Sequence, residues 1–390
     1  MQKIKVYHFH NGSGGGVLSV IKNLLKYSTN SLIENHVIYT INKDQVQNYP
    51  VKQLEGAVSE TVFYYSPKWN FYHTCRQLAK LLPDDKALLI THDWLELGMA
   101  SQLGLQNPVI NFLHGDFDYY YDLAKIHNKA INKFICISPV IFDKLLKSLV
   151  NRMDDILYRK FPIPSIEITE KSNHLLNCIY FVRDLTDTRK QFWMIPEINK
   201  QLIKKDISVN WIIAGGGVSK SEFKKLWNGN GIHNVEFKEA VSNESIIEEL
   251  KRSDIFLLPS TAEGFPVAVV EAMKAGVVPL ITNWNGATDE LVIENKTGFY
   301  FNVNDVESYV DKISQLNSDR KLLQSIALTA ATVANKLFNP NQNTTDIESI
   351  YFTAIESNTV IKKAKRVYGS KLDQKWIPNS ITNFIRSFKK

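Results

Sequence analysis

The sequence predicts an α/β protein made of two Rossmann-like parallel-sheet domains. Three observations carry this. Short β-rich apolar runs alternate with helical-period stretches almost from end to end, as in chains built from βαβ units. The alternation is interrupted by a polar, proline-bearing stretch, FPIPSIEITEKSN, from Phe161 to Asn173. At 390 residues the chain also exceeds the size at which one core keeps growing.

In the first half the strand-like runs are KIKVYHFH, HVIYTI, ALLITH, PVINFLH and KFICIS, with helices expected over VLSVIKNLLKYS and PVIFDKLLKSLV. The second half repeats the grammar with NCIYFV, VNWIIAGGG, NVEFKEA, DIFLLPS and VVPLIT. Domains are expected at 1–165 and 166–345, followed over 346–390 by helices and a basic tail able to pack back on the first domain. Ligands of open parallel sheets sit at the carboxyl ends of the strands, so two such edges facing one another across a deep interdomain cleft are the expected site.

Composition is 44% hydrophobic and 22% charged, which is that of a globular protein and excludes disordered and collagen-like classes. Cys75, Cys136 and Cys178 are odd in number and far apart, and two lie in apolar runs, which reads as reduced core thiols of a cytoplasmic protein. The N-terminus lacks the apolar core of a signal peptide, and no uncharged apolar run approaches the roughly 18 residues of a membrane helix. Net charge is +6, yet Ile361 to Lys390 alone carries nine Lys/Arg against the single acid Asp373. With Trp376, Ile377, Phe384, Ile385 and Phe388 among the cations, the tail has two readings. It fits a segment lying on an anionic bilayer face, which would make the protein peripheral on the inner face of the membrane, or a solvated helix whose apolar side packs back on the protein. A basic excess confined to the terminus argues against nucleic acid.

Several strand ends carry chemistry. HNGSGGGVLSVIKNLL places Gly12, Gly14, Gly15 and Gly16 before a helix beginning near Val17, where backbone N–H groups can meet phosphate or the loop can simply turn. It is neither a dinucleotide fingerprint, which would need Gly at Val17, nor a P-loop, since no G-K-[ST] follows. His92 in ITHDW and His114 in NFLHGDFD each end a strand at the functional edge. Asp116 and Asp118 form a D-x-D pair that reads as helix-start acids, and no metal is assigned to them. Tyr119, Tyr120 and Tyr121 follow, suited to stacking on a sugar or to packing. IYFVRDLTDTRKQF supplies Arg183, Arg189 and Lys190, cations able to balance a diphosphate leaving group or to form a solvated loop. IIAGGG, ending at Gly217, is a second glycine-rich strand end and reads equally well as a turn.

The richest stretch is EGFPVAVVEAMKAGVVPLIT, from Glu263 to Thr282. Pro266 suits the first position of a helix that runs through VAVVEAMKA to a stop at Gly276, and VVPLIT is the next strand. Glu263 stands at the helix mouth. Glu271 stands on the second turn among apolar neighbours, where a carboxylate can accept hydrogen bonds from vicinal hydroxyls.

These residues resemble the retaining glycosyltransferases of family four, group one, which have the GT-B fold and an E-x7-E motif matched by Glu263 and Glu271. The Gly-rich loop, HDW, LHG, ICIS, IIAGGG, NVEFKEAVSNESIIEELKRSDIFLLPS and NGATDELVIENKTGFYF resemble family segments in the same order, over most of residues 1–310. The resemblance implies transfer from a nucleotide-diphosphate sugar, without a metal or other cofactor, to a glycan or lipid-linked acceptor. Glu271 would bind the ribose. Glu263, with Gly264, Phe265 and Pro266, would face the sugar near His114, and Gly15 and Gly16 would lie near the diphosphate. Arg183 and Lys190 would hold the phosphates. The family spaces these two cations by five residues, whereas here they are seven apart with Arg189 adjacent, so either a two-residue insertion or a role for Arg189 is implied. A catalytically inactive sugar-nucleotide-binding subunit of the same fold is the alternative.

Overall fold

The computed structural model describes residues 3–13, 15–45, 53–83, 86–169, 175–227, 234–239, 242–284, 286, 288–358 and 361–388. Among the positions singled out above, Gly14, the linker's last residues, Ala240, Val241, Asn285, Ala287, Lys389 and Lys390 lie outside these. The chain forms two compact units, Met1–Pro162 with Pro340–Lys390, and Ile163–Asn339. The crossings therefore fall a few residues ahead of the boundaries expected at 165 and 345.

The first unit holds a seven-stranded sheet of β1 (Ile4–His10), β2 (Ile33–Asn42), β3 (Ser59–Tyr65), β4 (Leu88–Thr91), β5 (Val109–Leu113), β6 (Lys133–Cys136) and β7 (Ile156–Tyr158). Their order is β3-β2-β1-β4-β5-β6-β7, and every pairing is parallel. The central strands β4 and β5 are buried at every residue, which is why they read as unbroken apolar runs. Around them run α1 (Gly16–Lys26), α2 (Phe71–Ala79), α3 (Trp94–Leu103), α4 (Asp118–His127), α5 (Pro139–Ser148), and later α12 (Pro340–Glu356) and α13 (Asn379–Ser387). Ile21 and Leu25 of α1 pack on Val37, Tyr39 and Ile41 of β2, closing one core cluster.

The second unit holds β8 (Asn177–Asp184), β9 (Asn210–Gly216), β10 (Val235–Lys238), β11 (Ile255–Leu258), β12 (Val278–Thr282) and β13 (Phe299–Phe301), in the parallel order β10-β9-β8-β11-β12-β13. Its helices are α6 (Met194–Lys204), α7 (Lys220–Trp227), α8 (Asn243–Lys251), α9 (Val267–Lys274), α10 (Val306–Ser318) and α11 (Arg320–Leu337). Three strands were not expected from sequence: β3, β7 and β13. All three are sheet edges, and β7 and β13 are only three residues long, so they lack the long apolar run that marks a central strand.

Residues 361–388 return along the first unit. Lys365 N donates to Ser101 O at 2.8 Å, and the Tyr368 ring sits against Phe71 and Trp94 at 5.7 and 5.9 Å. The apolar side of the terminal helix does not pack inward, contrary to the second reading of the tail. Thr382 is the buried residue of α13, while Ile381, Phe384, Ile385 and Phe388 are exposed. Among the described residues no helix is long and apolar enough to cross a membrane.

Candidate active site

In the second unit, Arg183 lies near the carboxyl end of β8, where the pairing with β9 shifts register between Phe181 and Asp184. The longer Arg-to-Lys spacing is taken up by two compact turns. Asp184 Oδ1 accepts Thr186 N and Oγ1 at 2.8 and 2.6 Å, and Asp187 accepts Arg189 N at 3.1 Å, starting a short 3-10 turn over Thr188–Lys190. Asp187 also takes the Arg189 guanidinium in a two-point contact, Nε at 3.0 Å and Nη2 at 2.7 Å. The hydrogen bond from Arg189 holds the Asp187 carboxyl below its usual range. Lys190 points the other way, and its Nζ lies 2.5 Å from Glu263 Oε1. Both side chains are largely shielded, at 22% and 11% exposure, so this pair is less screened than a surface one. Tyr180 Oη donates to Lys190 O at 2.8 Å and Thr261 N donates to Arg189 O at 2.8 Å, which ties the cation loop to the loop carrying Glu263.

Pro266 is the N-cap of α9 in extended geometry rather than its first helical residue, so the helix begins at Val267. The Phe265 ring packs 5.5 Å from Phe338, which seats the loop Gly264–Pro266 at the helix mouth. Glu271, one turn in, is 5% exposed and lines a hollow of about 320 Å³ with Ile163, Pro164, Ile166, Ile247 and Lys251. Glu271 is therefore not on a solvated helix face. On the same helix Lys274 is fully buried and donates to Ile163 O at 2.7 Å and Phe338 O at 2.9 Å. Ser260, just before the Glu263 loop, is fully buried; its carbonyl accepts Trp284 Nε1 at 2.8 Å and its Oγ has no partner among the described residues.

In the first unit the carboxyl edge gathers histidines from three strands. His114 Nε2 and His92 Nδ1 share one hydrogen bond at 2.7 Å. Burial pushes the His114 imidazole down to about 3 and His92 well below its ordinary value, so both are neutral at pH 7. His10 at the end of β1 accepts Gly12 N through Nδ1 at 3.1 Å, and so shapes the glycine loop. Gly15 caps α1 at φ 113°, a conformation a side chain strains against, and Gly16 opens the helix. Asp93 caps α3, and Glu96 returns Oε1 to His92 N and Asp93 N at 2.9 and 2.7 Å, fixing the turn that carries His92. Burial, with the nearby Asp93 charge, pushes the Glu96 carboxyl up to about 8.

The three tyrosines divide their work. Tyr119 Oη donates to Asp93, Tyr120 lies 6.4 Å from the His114 ring, and Tyr121 Oη donates to Asp116 at 2.6 Å. Asp116 also pairs with Lys144 at 2.6 Å, and Asp118 is the first residue of α4, so the D-x-D acids serve local structure. The IIAGGG glycines are required by the close packing of β9 against the irregular end of β8. A Cβ on Gly215 would sit 2.5 Å from Val182 O, and one on Gly217 would collide with Asp184 Oδ1.

The structure thus brings Lys190, Glu263 and the Gly264–Pro266 loop together at one sheet edge, and His114, His92, Gly15 and Gly16 at another. Lys274, Glu96, Asp187 and Ser260 escaped the sequence reading. Glu96 carried a faint signal, being the one charge in the helix WLELGMASQL. A helix mouth and a cation at the carboxyl edge of a parallel sheet are the chemistry that suits an anionic ligand.

Comparison with known proteins sharpens this. Residues 168–332, nearly the whole second unit, match the family described as glycosyl transferases group 1. Over 231 residues the chain is 25% identical to N-acetyl-alpha-D-glucosaminyl L-malate synthase of Bacillus anthracis, covering 54% of this chain and 59% of the relative, somewhat over half its length. It is 23% identical over 263 residues to the capsular polysaccharide biosynthesis glycosyltransferase CapM of Staphylococcus aureus, covering 62% and 67% of the two chains. Among solved structures, HepE of Anabaena, crystallised with UDP and glucose, superposes with a TM-score of 0.72 at 15% identity, over 90% of this chain and all of that one. The fold is GT-B, two Rossmann-like parallel-sheet domains.

Proposed function

We propose that the protein is a retaining glycosyltransferase that moves a sugar from a nucleotide-diphosphate sugar to a glycan or lipid-linked acceptor. Its setting is cell-surface polysaccharide or lipopolysaccharide synthesis in the cytoplasm, on the inner membrane face, with the basic tail toward anionic lipid. The observation that carries the reading is the Lys190–Glu263 pair at the mouth of α9, inside the segment that matches the glycosyl transferases group 1. The named activities of relatives such as CapM support it.

In this reading Glu271 accepts hydrogen bonds from the ribose hydroxyls, and Arg183 and Lys190 balance the charge that develops on the departing diphosphate. The Gly264–Pro266 backbone and the mouth of α9 add a fixed positive end, so the charge is met without a metal. On the first unit, Gly15 and Gly16 offer backbone N–H groups suited to phosphate. Glu263 positions Lys190 and the sugar, and neutral His114 meets a sugar hydroxyl as an uncharged hydrogen-bonding partner. The anomeric carbon becomes oxocarbenium-like as the C–O bond to phosphate breaks. The acceptor oxygen enters on that same face and passes its proton to the leaving phosphate.

The test is donor hydrolysis and transfer over a panel of nucleotide sugars, for the parent protein, Glu271→Ala and Arg183→Ala. Both variants are expected to lose about tenfold or more in donor binding or turnover, the scale of a lost charged hydrogen bond, while melting like the parent. Unchanged turnover in both would sink the assignment. Binding of donors with turnover of none would favour an inactive sugar-nucleotide-binding subunit.

A further inference from the structure

The terminal helix α13 is docked on the first unit by its polar side. Asn70 is fully buried and donates from Nδ2 to Leu372 O, Gln374 O and Ile377 O at 3.1, 2.9 and 2.8 Å, while its N–H reaches Asn379 Oδ1 at 2.8 Å. Asp373, 2% exposed, accepts Phe71 N at 2.6 Å, Ser370 N at 2.5 Å and Arg386 Nη2 at 2.5 Å. Arg386 also donates to Trp69 O at 2.5 Å. Burial alone would raise the Asp373 carboxyl, but these donors hold it below its ordinary value, so it stays charged beneath the helix. This anchorage fixes which face of α13 looks outward.

The outward face is apolar. Ile381, Phe384, Ile385 and Phe388 follow helical spacing at 49%, 66%, 37% and 73% exposure, and Trp376 beside them is 70% exposed. A globular protein leaves such a stripe uncovered only where something else covers it. The charge around it says what. Lys371 and Lys375 are exposed in the same segment, Lys68 is exposed next to the Trp69 carbonyl that Arg386 holds, and the segment's one acid is consumed underneath. A second copy of the chain placed on this face would set these lysines against each other. An anionic surface would pair with them.

We propose that α13 and Trp376 seat the protein on an anionic phospholipid bilayer. Trp376, Ile381, Phe384, Ile385 and Phe388 enter the headgroup boundary, and Lys68, Lys371 and Lys375 lie on lipid phosphates. The inference deepens the membrane-face part of the function proposed above and rests on it. The polar anchor gives the helix a fixed orientation before it meets lipid, so the apolar stripe does not have to unpack from a core in order to insert.

The experiment is co-sedimentation of the full chain with phosphatidylglycerol-containing vesicles and with pure phosphatidylcholine vesicles. The parent protein is expected on the former and not the latter, with binding weakened by salt. Phe384→Ser with Phe388→Ser, and separately Lys371→Glu with Lys375→Glu, should each lower the bound fraction tenfold or more at unchanged melting temperature, since all four side chains are exposed. Equal sedimentation of parent and variants overturns the proposal. So does a parent protein that is dimeric in solution and becomes monomeric on Phe384→Ser with Phe388→Ser, which would make the stripe a chain-to-chain interface. Donor hydrolysis measured without vesicles separates the two readings. Intact hydrolysis with no vesicle binding removes only the membrane proposal, and vesicle binding with no hydrolysis of any donor removes only the enzymatic one.

Discussion

Lys190 Nζ lies 2.5 Å from Glu263 Oε1, while its neighbour Arg189 is turned onto Asp187 and is 55% exposed. Two adjacent cations that look interchangeable in sequence are therefore separated by the fold. The separation comes from the turn Asp184–Asp187, which absorbs the extra residues of the loop and leaves Lys190 at the Glu263 loop.

The expected consequence is an asymmetric mutational response. Lys190→Ala should lower kcat/KM for donor turnover by about 100-fold, the scale of removing one fixed donor from developing negative charge, roughly 2.7 kcal/mol. Arg189→Ala should stay within about threefold, since an exposed ion pair contributes little. Steady-state kinetics on a responsive nucleotide sugar checks this. A larger loss for Arg189→Ala than for Lys190→Ala would overturn the division of roles.

Much of the architecture was legible because parallel strands buried on both faces announce themselves as apolar runs, as LLIT and VINFL do. Edge strands such as Phe299–Phe301 do not, being only three residues long. At the site, the acids of the Glu263 loop and α9 stood out because charge within an apolar helix needs a reason. The choice between Arg189 and Lys190 was illegible, since it depends on which carboxylate each meets across the fold. Lys274 was overlooked because a lysine in a helix's last turn already has an ordinary explanation in the helix dipole. The apolar residues of the tail, Trp376, Phe384, Ile385 and Phe388 among them, were visible in sequence, but the direction they face was set by Asn70, some 300 residues away in sequence.

Stability should peak near neutral pH. Burial lowers His8 and His127 to about 4 and His114 to about 3, from an ordinary value of 6.5. The unfolded chain therefore binds more protons below pH 6.5, and the stability these rings contribute, present above that pH, is lost as pH falls toward 4. Glu96 runs the other way. Raised by burial from 4.5 to about 8, it contributes stability that is present below 4.5 and lost as pH rises toward 8. Three rings outweigh one carboxyl in the acid window, because each tenfold change in a group's proton affinity on folding is worth about 1.4 kcal/mol. The urea midpoint should therefore fall on both sides of about pH 6.5. Glu96→Gln keeps an acceptor for the two backbone amides and should flatten the limb between pH 6.5 and 8. A variant as steep there as the parent would assign that limb to other groups.

Lys274 holds both ends of the second unit at once, since Ile163 is its first residue and Phe338 lies one residue before its last. A methionine in its place retains the buried stem but leaves two carbonyls without their donor. Each unmet buried polar group costs about 1–3 kcal/mol, so Lys274→Met should lower the unfolding free energy by at least about 2 kcal/mol. Because α9 also carries Glu271 and opens beside Glu263, the loss should extend to nucleotide binding, even though the lysine itself touches no substrate in the proposed reaction. Urea denaturation with and without saturating nucleoside diphosphate checks both parts. An unchanged midpoint in Lys274→Met would show that the two chain ends are held by their apolar packing, Phe265 on Phe338 among it, and not by the buried amine.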